Sequence, residues 1–267
     1  LAEQPPAISL DWEVRLRHEG VYDDAFARTA DANTMRLRLG LRVSPLPDWT
    51  GLLEGEAIAA NQRYNSGANG RTGFPAVIDP RGVELNQAWL RWKGARGGAA
   101  VGRQRLLFDN QRWIGSSGWR QNEQTFDALA LDVAPRKDIA LRYAFLDRVH
   151  RVNGDDATEP RNRERALSSH LFNAAWKHGT QQLSGYGYLH EDRDVATSSS
   201  ATLGLRWTGS RPLRAATLGW ALEAARQRDH VAVAGARRLF IERGADAKHR
   251  LVLAGAKERD ATHIHRQ

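Results

Sequence analysis

The sequence predicts an all-β fold, an antiparallel up-and-down β-barrel that crosses a membrane with its strands. Three observations predict it. The stretch Met35-Arg36-Leu37-Arg38-Leu39-Gly40-Leu41-Arg42-Val43 alternates apolar and polar positions, and apart from Gly40 its second face is arginine alone. A wet face of a soluble sheet mixes Thr, Ser, Lys and Glu, whereas a membrane barrel turns the apolar face to lipid and its charges to the lumen. The connections between such stretches alternate short and long in chain order, and five tryptophans stand beside the short ones.

Composition narrows the class without deciding it. The 267 residues contain no cysteine, which removes disulfides, thiolate metal sites and a catalytic thiol. Mean hydropathy is -0.57 and no run of about 18 apolar residues occurs, so a transmembrane helix is excluded. A barrel is not, because only every second residue of its strands meets lipid. The first residues, Leu1-Ala2-Glu3-Gln4-Pro5-Pro6, read like a mature amino terminus from which an export signal has been removed. The net charge of +8, from 39 basic and 31 acidic residues, suits an anionic partner, and the arginine-rich balance suits carboxylates and phosphates.

Period-2 stretches bounded by turn residues give about thirteen strand candidates, most of them roughly ten residues long. They span 8–19, 33–44, 50–62, 83–93, 98–107, 124–133, 138–149, 167–177, 180–190, 200–208, 217–227, 235–243 and 247–257. The stretch 218–228, rich in Ala and Leu, is the best helical rival, yet it also alternates. Alternation is less clean in 83–92 and 124–133, where a β-bulge or a loop folding back into the lumen would explain it. Short connections such as Gly94-Ala95-Arg96-Gly97 and His178-Gly179 are predicted at one end. Long polar loops near 20–32, 63–82, 108–123, 150–166, 191–199 and 228–234 are predicted at the other, the order of an outer-membrane meander and not of a Greek-key sandwich.

Strict alternation then sorts side chains. Leu10, Trp12, Val14, Leu16, Leu37, Leu39, Leu41, Leu141, Leu203 and Leu205 are expected to face lipid. Asp11, Glu13, Arg15, Arg17, Arg36, Arg38, Arg42, Glu54, Glu56, Arg142 and Arg206 are expected to line the lumen. A charge facing mid-bilayer costs roughly 2 to 4 kcal/mol, so this many cannot point outward. Arginine outnumbers acids within residues 33–44, which predicts a hydrated, anion-favouring wall over a dry, fully paired one. Trp49, Trp92, Trp176, Trp207 and Trp220 are expected to form a girdle at the periplasmic interface, where an indole keeps its ring in hydrocarbon and its N–H wet.

No enzyme site, cofactor or metal site is expected. The nine histidines are scattered and neither H-E-x-x-H nor G-x-S-x-G occurs. His263-Ile264-His265 has metal-ligand spacing but reads as a solvated end, and Asp155-Asp156 reads as an exposed turn. A soluble basic β-sheet protein that binds nucleic acid or an anionic polysaccharide is the rival reading. It would need aromatics interleaved on the arginine faces, and the candidate strands lack them.

The segments Glu84-Leu85-Asn86-Gln87-Ala88-Trp89-Leu90, Val101-Gly102-Arg103-Gln104-Arg105, Asn110-Gln111-Arg112-Trp113-Ile114-Gly115, Trp119 through Ala128, and Tyr143 through Val149 occur in that order. They resemble the alginate-export family of bacterial outer-membrane porins. The likeness runs over about 8–230 within a single domain of 1–267, and it fades into an Ala/Arg-rich tail at 231–267. It implies an 18-stranded barrel in the bacterial outer membrane that passes an anionic solute or acidic polysaccharide, with alginate as the type substrate. By position it carries over Arg103, Arg105, Arg112, Arg120, Glu123, Asp127, Asp147 and Arg148 as pore or constriction residues; a barrel-stapling ion pair is the alternative for each, with at least equal weight for the acidic ones. A monomer in outer-membrane lipid, with no nucleic-acid partner, is the expected state. Thirteen strand candidates and an end at Arg266-Gln267 fall short of that barrel, so an incomplete barrel, or a truncated porin without function, is expected at the carboxyl end.

Overall fold

The computed structural model describes residues 7–214 and 216–230, together with the backbone of 250–255. Its architecture is a single antiparallel meander. The strands are β1 (Ala7–Val21), β2 (Ala30–Ser44), β3 (Trp49–Ala60), β4 (Gly82–Gly94), β5 (Gly97–Gln104) and β6 (Thr125–Arg136), then β7 (Ile139–His150), β8 (Glu164–His178), β9 (Gln181–His190), β10 (Ser200–Pro212), β11 (Thr217–Asp229) and β12 (Arg250–Gly255). They form one 12-stranded sheet in chain order. Among the described residues β1 pairs with β2 alone and β12 with β11 alone, so the ladder is open.

The expected strands and the observed ones coincide closely, including β11 where a helix was the rival. The candidate at 235–243 lies outside the described residues. Short turns join β2 to β3, β4 to β5, β6 to β7, β8 to β9 and β10 to β11, and long loops occupy the opposite end. The tightest turns use left-handed backbone: Gly179 has φ 57° between the paired His178 and Gln181, and Asp48 has φ 66°. Among the described residues a single α-helical turn, α1 (Pro160–Arg163), sits in the loop before β8.

The sheet is polarised inside out. Leu10 is paired with Leu41, Trp12 with Leu39 and Val14 with Leu37 on its convex face, and Leu10, Leu16 and Leu203 are 68%, 76% and 71% exposed. On the other face Arg36, Arg38 and Glu56 are only 3%, 5% and 2% exposed. A water-soluble protein would bury the first set and expose the second. Here the apolar rows cover the surface, which is stable only where that surface meets hydrocarbon.

Two irregularities set the inner face. In β4 the pairing with β3 slips between Glu54 and Gly55, leaving Asn86 as an extra residue between Leu85 and Gln87. Asn86 and Gln87 are therefore both buried inside, and below them Trp89 and Arg91 share the inner face while Leu90 and Trp92 turn outward. In β7 a second bulge falls at Asp147, between the pairs Asp127 with Arg148 and Ala128 with Leu146. The first bulge is the cause of the imperfect alternation around 83–92; the second lies in β7, and within 124–133 Phe126, Ala128 and Ala130 keep a regular inner row.

Two long loops pack inside the curve of the sheet. Loop 61–81 buries Tyr64 and Val77 against Ala30 and Ala32 of β2. Loop 105–124 lays Leu106 and Phe108 on Phe126, Leu146, Leu171, Tyr186 and Tyr188, the largest apolar cluster of the inner side.

Candidate functional site

The inner wall and loop 105–124 form the site. On β1 and β2 the ladder sets Arg15 directly opposite Arg36, an arrangement of like charges that would repel. The loop relieves it with carbonyl groups. Arg15 donates to the carbonyl oxygens of Gly118 (2.9 Å) and Trp119 (2.8 Å), and Arg36 donates to that of Gln121 (2.9 Å). Gln121, fully buried, donates through Nε2 to the Thr34 hydroxyl (2.8 Å), while its amide N–H donates to Asp79 of the other inward loop (2.8 Å).

Acids from neighbouring strands complete the network. Arg36 pairs with Glu13, and Arg38 pairs with Glu56 and lies 3.2 Å from Glu123. Arg105 pairs with Glu123 and stands 3.5 Å from Glu54. Asn86, the bulge residue, donates to both Glu54 (2.7 Å) and Glu123 (2.8 Å), and Gln87 donates to Glu54 (2.9 Å). Arg42 binds Asp11 at 2.7 Å, and Arg17 binds Asp79 and Glu19. Burial raises the Asp79 carboxyl above its ordinary range, with the Gln121 N–H and Arg17 pulling it back. Burial likewise lowers the Arg120 guanidinium, which stacks on Trp119 at 3.9 Å.

This corrects the expectation of a hydrated wall beside β2. Arginine exceeds acid within that strand, yet the counter-ions come from β1, β3 and the loop, so Arg36 and Arg38 are dry and paired. The arginines left in contact with solvent are Arg42 near the short-turn end of β2 and, beyond that strand, Arg105, Arg112 and Arg142, with 39%, 35%, 34% and 45% of their side chains exposed.

The loop reaches the far wall as well. Trp113 donates through its indole nitrogen to the Tyr186 hydroxyl (3.0 Å), which itself donates to Glu223 (2.6 Å). Arg206 holds the same carboxylate at 2.9 Å, and Arg112 lies 3.8 Å from it. Arg142 pairs with Asp132 at 2.7 Å and donates to the Leu107 carbonyl (3.0 Å), and Asn173 donates to Asp109 (2.6 Å).

Four residues suggested by the resemblance stand apart from this interior. Asp127 is on the strand face of Leu129 by alternation, and the Asp147 bulge turns Arg148 away from the Leu146 side to pair with it. Arg103, on the alternation of Val101, binds Asp127 at 3.1 Å, and His150 links Asp127 (2.9 Å) with Glu164. Asp147 itself pairs with Arg193 of loop 191–199 at 2.9 Å. These are staples at the long-loop ends of β5 to β8, not lumen residues.

The five tryptophans stand beside short turns. Trp49 is paired with Trp92, the rings of Trp207 and Trp220 are 5.7 Å apart, and Trp176 stacks with His178. All but Trp220 are more than a third exposed. Sequence reasoning missed Asp79, Gln121, Tyr186, Trp89 and Arg91 as inner-wall residues. The irregular alternation at 83–92 was the one available signal, and it concerned only the last two.

An open wall with apolar exterior, charged interior and inward-folded loop defines a bacterial outer-membrane β-barrel of the porin type. The alginate export family model matches residues 8–251, so the chain belongs to that family, and the likeness extends past the point near 230 where the sequence was expected to lose it. No curated protein matches the sequence. Among solved structures the fold is similar to a BenF-like porin from Pseudomonas fluorescens Pf-5 (TM-score 0.65, 11% identity), covering 84% of this chain and 58% of that one. It is also similar to Pseudomonas aeruginosa OpdK with vanillate (TM-score 0.59, 13% identity, 84% and 57% covered) and to Acinetobacter baumannii OccAB1 (0.58, 11%, 83% and 52%). The chain thus spans somewhat more than half the length of these porins.

Proposed function

We propose that the protein is a passive, anion-preferring channel of the outer membrane, that its solute is an acidic polysaccharide such as alginate, and that it acts as a monomer. The observation that carries this reading is the inverted polarity of the wall, with arginines on the inner side that stay partly solvated beside their acidic partners. Arg15, Arg17, Arg36, Arg38, Glu54, Glu56 and Glu123 fix loop 105–124 across the lumen, and Arg42, Arg105, Arg112, Arg120 and Arg142 supply the field that an anion meets. Fixed positive charge on a low-dielectric wall concentrates anions and repels cations without any conformational step. Trp49, Trp92, Trp176, Trp207 and Trp220 form the periplasmic girdle that sets the height of the wall in the bilayer.

Planar-bilayer recording under a salt gradient tests it. A reversal potential on the anion side is expected, with conductance reduced by added alginate oligomers. A cation-side reversal potential overturns the reading.

A further inference from the structure

We infer that the periplasmic half of the inner wall holds a sugar-stacking station centred on Trp89, which takes the pyranose ring of a uronic acid while Arg91 and Arg42 take its carboxylate. The inference rests on the proposed passage of acidic polysaccharide and names where one residue of that polymer is held.

The station is made by the β4 bulge. With unbroken alternation from Glu84 and Asn86, residues 88, 90 and 92 would face inward and Trp89 and Arg91 would face lipid. The extra residue at 86 reverses this and brings an indole and a guanidinium into the lumen. A single cross-strand row then runs Arg42, Leu52, Trp89, Gly102, each paired with the next across β2 to β5. Gly102 has φ 115°, and a Cβ there would lie 2.2 Å from the Ala88 carbonyl oxygen and 3.0 Å from the Trp89 Cα. No side chain can therefore stand beside the indole on that flank. The result is a flat apolar shelf of Leu52, Trp89 and bare backbone.

Cations border the shelf. The guanidinium of Arg91 lies 4.6 Å from the Trp89 ring centre and that of Arg42 lies 5.8 Å from it. Gln87 accepts from the indole nitrogen at 3.2 Å and so fixes the ring plane. Arg42 is already paired with Asp11, but Arg91 is exposed and, among the described residues, has no carboxylate within ion-pair distance. Its contact is the π face, where a cation is held by about 0.5 to 1 kcal/mol at an exposed site. That is weak enough for a carboxylate to draw it away, since the guanidinium fork matches a carboxylate better than a ring. A uronate offers both surfaces at once, a C–H face for the indole and an anionic group at its edge. A chloride ion uses only the cations, and a neutral sugar only the shelf.

Calorimetry on the full-length protein folded in detergent reads the station without requiring conduction. The probes are a short β-1,4-linked mannuronate oligomer, a cello-oligosaccharide of equal length, and benzoate. Tight binding of the mannuronate oligomer is expected over the other two, weakened about tenfold by Trp89→Ala and largely restored in Trp89→Phe. Arg91→Gln, at an exposed position that does not bear on folding, is expected to weaken the mannuronate oligomer alone by a similar factor. Retained heat-modifiable mobility identifies the folded variants. Absence of mannuronate binding, equal binding of the neutral oligomer or of benzoate, or affinity unchanged in both Trp89→Ala and Arg91→Gln overturns the inference. Loss of anion-selective conductance with the station intact overturns the channel reading instead.

Discussion

Asp79 accepts the amide N–H of Gln121 at 2.8 Å across 42 positions of sequence, and by this bond one inward loop fastens the other. Asp79→Ala leaves the buried Gln121 N–H without a partner and frees Arg17 from an acid, at a cost of about 1 to 3 kcal/mol to loop docking. Single-channel traces of the variant are expected to be noisier and of higher mean conductance than wild type. Asp79→Asn keeps the accepting oxygen and is expected to lie between the two. Traces of Asp79→Ala identical to wild type would show that loop 105–124 is held without loop 61–81.

Arg36 binds a strand acid and a loop carbonyl while almost wholly buried. Arg36→Met keeps the length of the side chain but leaves Glu13 and the Gln121 carbonyl without their donor, a loss of about 3 kcal/mol for a buried pair with one partner half in solvent. The temperature at which the folded band disappears on detergent gels is expected to drop clearly. Arg42→Met, half-exposed and paired only with Asp11, is expected to change it little.

Tyr64 is fully buried in loop 61–81, and its hydroxyl donates to the Asp79 carbonyl. Burial pushes its phenol up to about 12. Its folded value thus exceeds the unfolded one of about 10, so its contribution to stability is complete below pH 10 and is lost as the pH rises towards 12. Ultraviolet titration is expected to show Tyr64 ionising late and together with unfolding of the inward loops. In Tyr64→Phe the late step is expected to be smaller by the absorbance of one tyrosine.

The apolar face is exposed to whatever surrounds the wall. If this is hydrocarbon, Leu39→Arg costs roughly 2 to 4 kcal/mol of folding free energy in lipid vesicles. Arginine at Thr208, on the inner face of β10, is expected to cost far less. Equal tolerance of both substitutions, measured by urea unfolding in vesicles, would argue that Leu39 faces water.

The strands were legible because a period of two survives over most of their length whatever their distant contacts are. Leu37, Leu39 and Leu41 announce their face by position alone. The dry pairing of Arg36 and Arg38 was not legible, since their acids and carbonyls come from Glu13, Glu56, Glu123 and Gln121, the last of them 85 residues away from Arg36. A single residue inserted at 86 or 147 reverses the face of everything beyond it, and no local preference in either strand announces where the insertion falls. Arg148 changes face by such a reversal, whereas Arg103 and Asp127 follow the plain alternation of Val101 and Leu129. Their types suit a pore, and only the register reveals that they clasp strand ends.

Loop 105–124 is bonded to β1 and β2 through Arg15 and Arg36 and to β9 and β11 through Trp113, Tyr186 and Glu223. A segment anchored on opposite walls behaves as a strut. It holds those walls at a fixed distance, and they cannot move apart without first breaking bonds at one end of it.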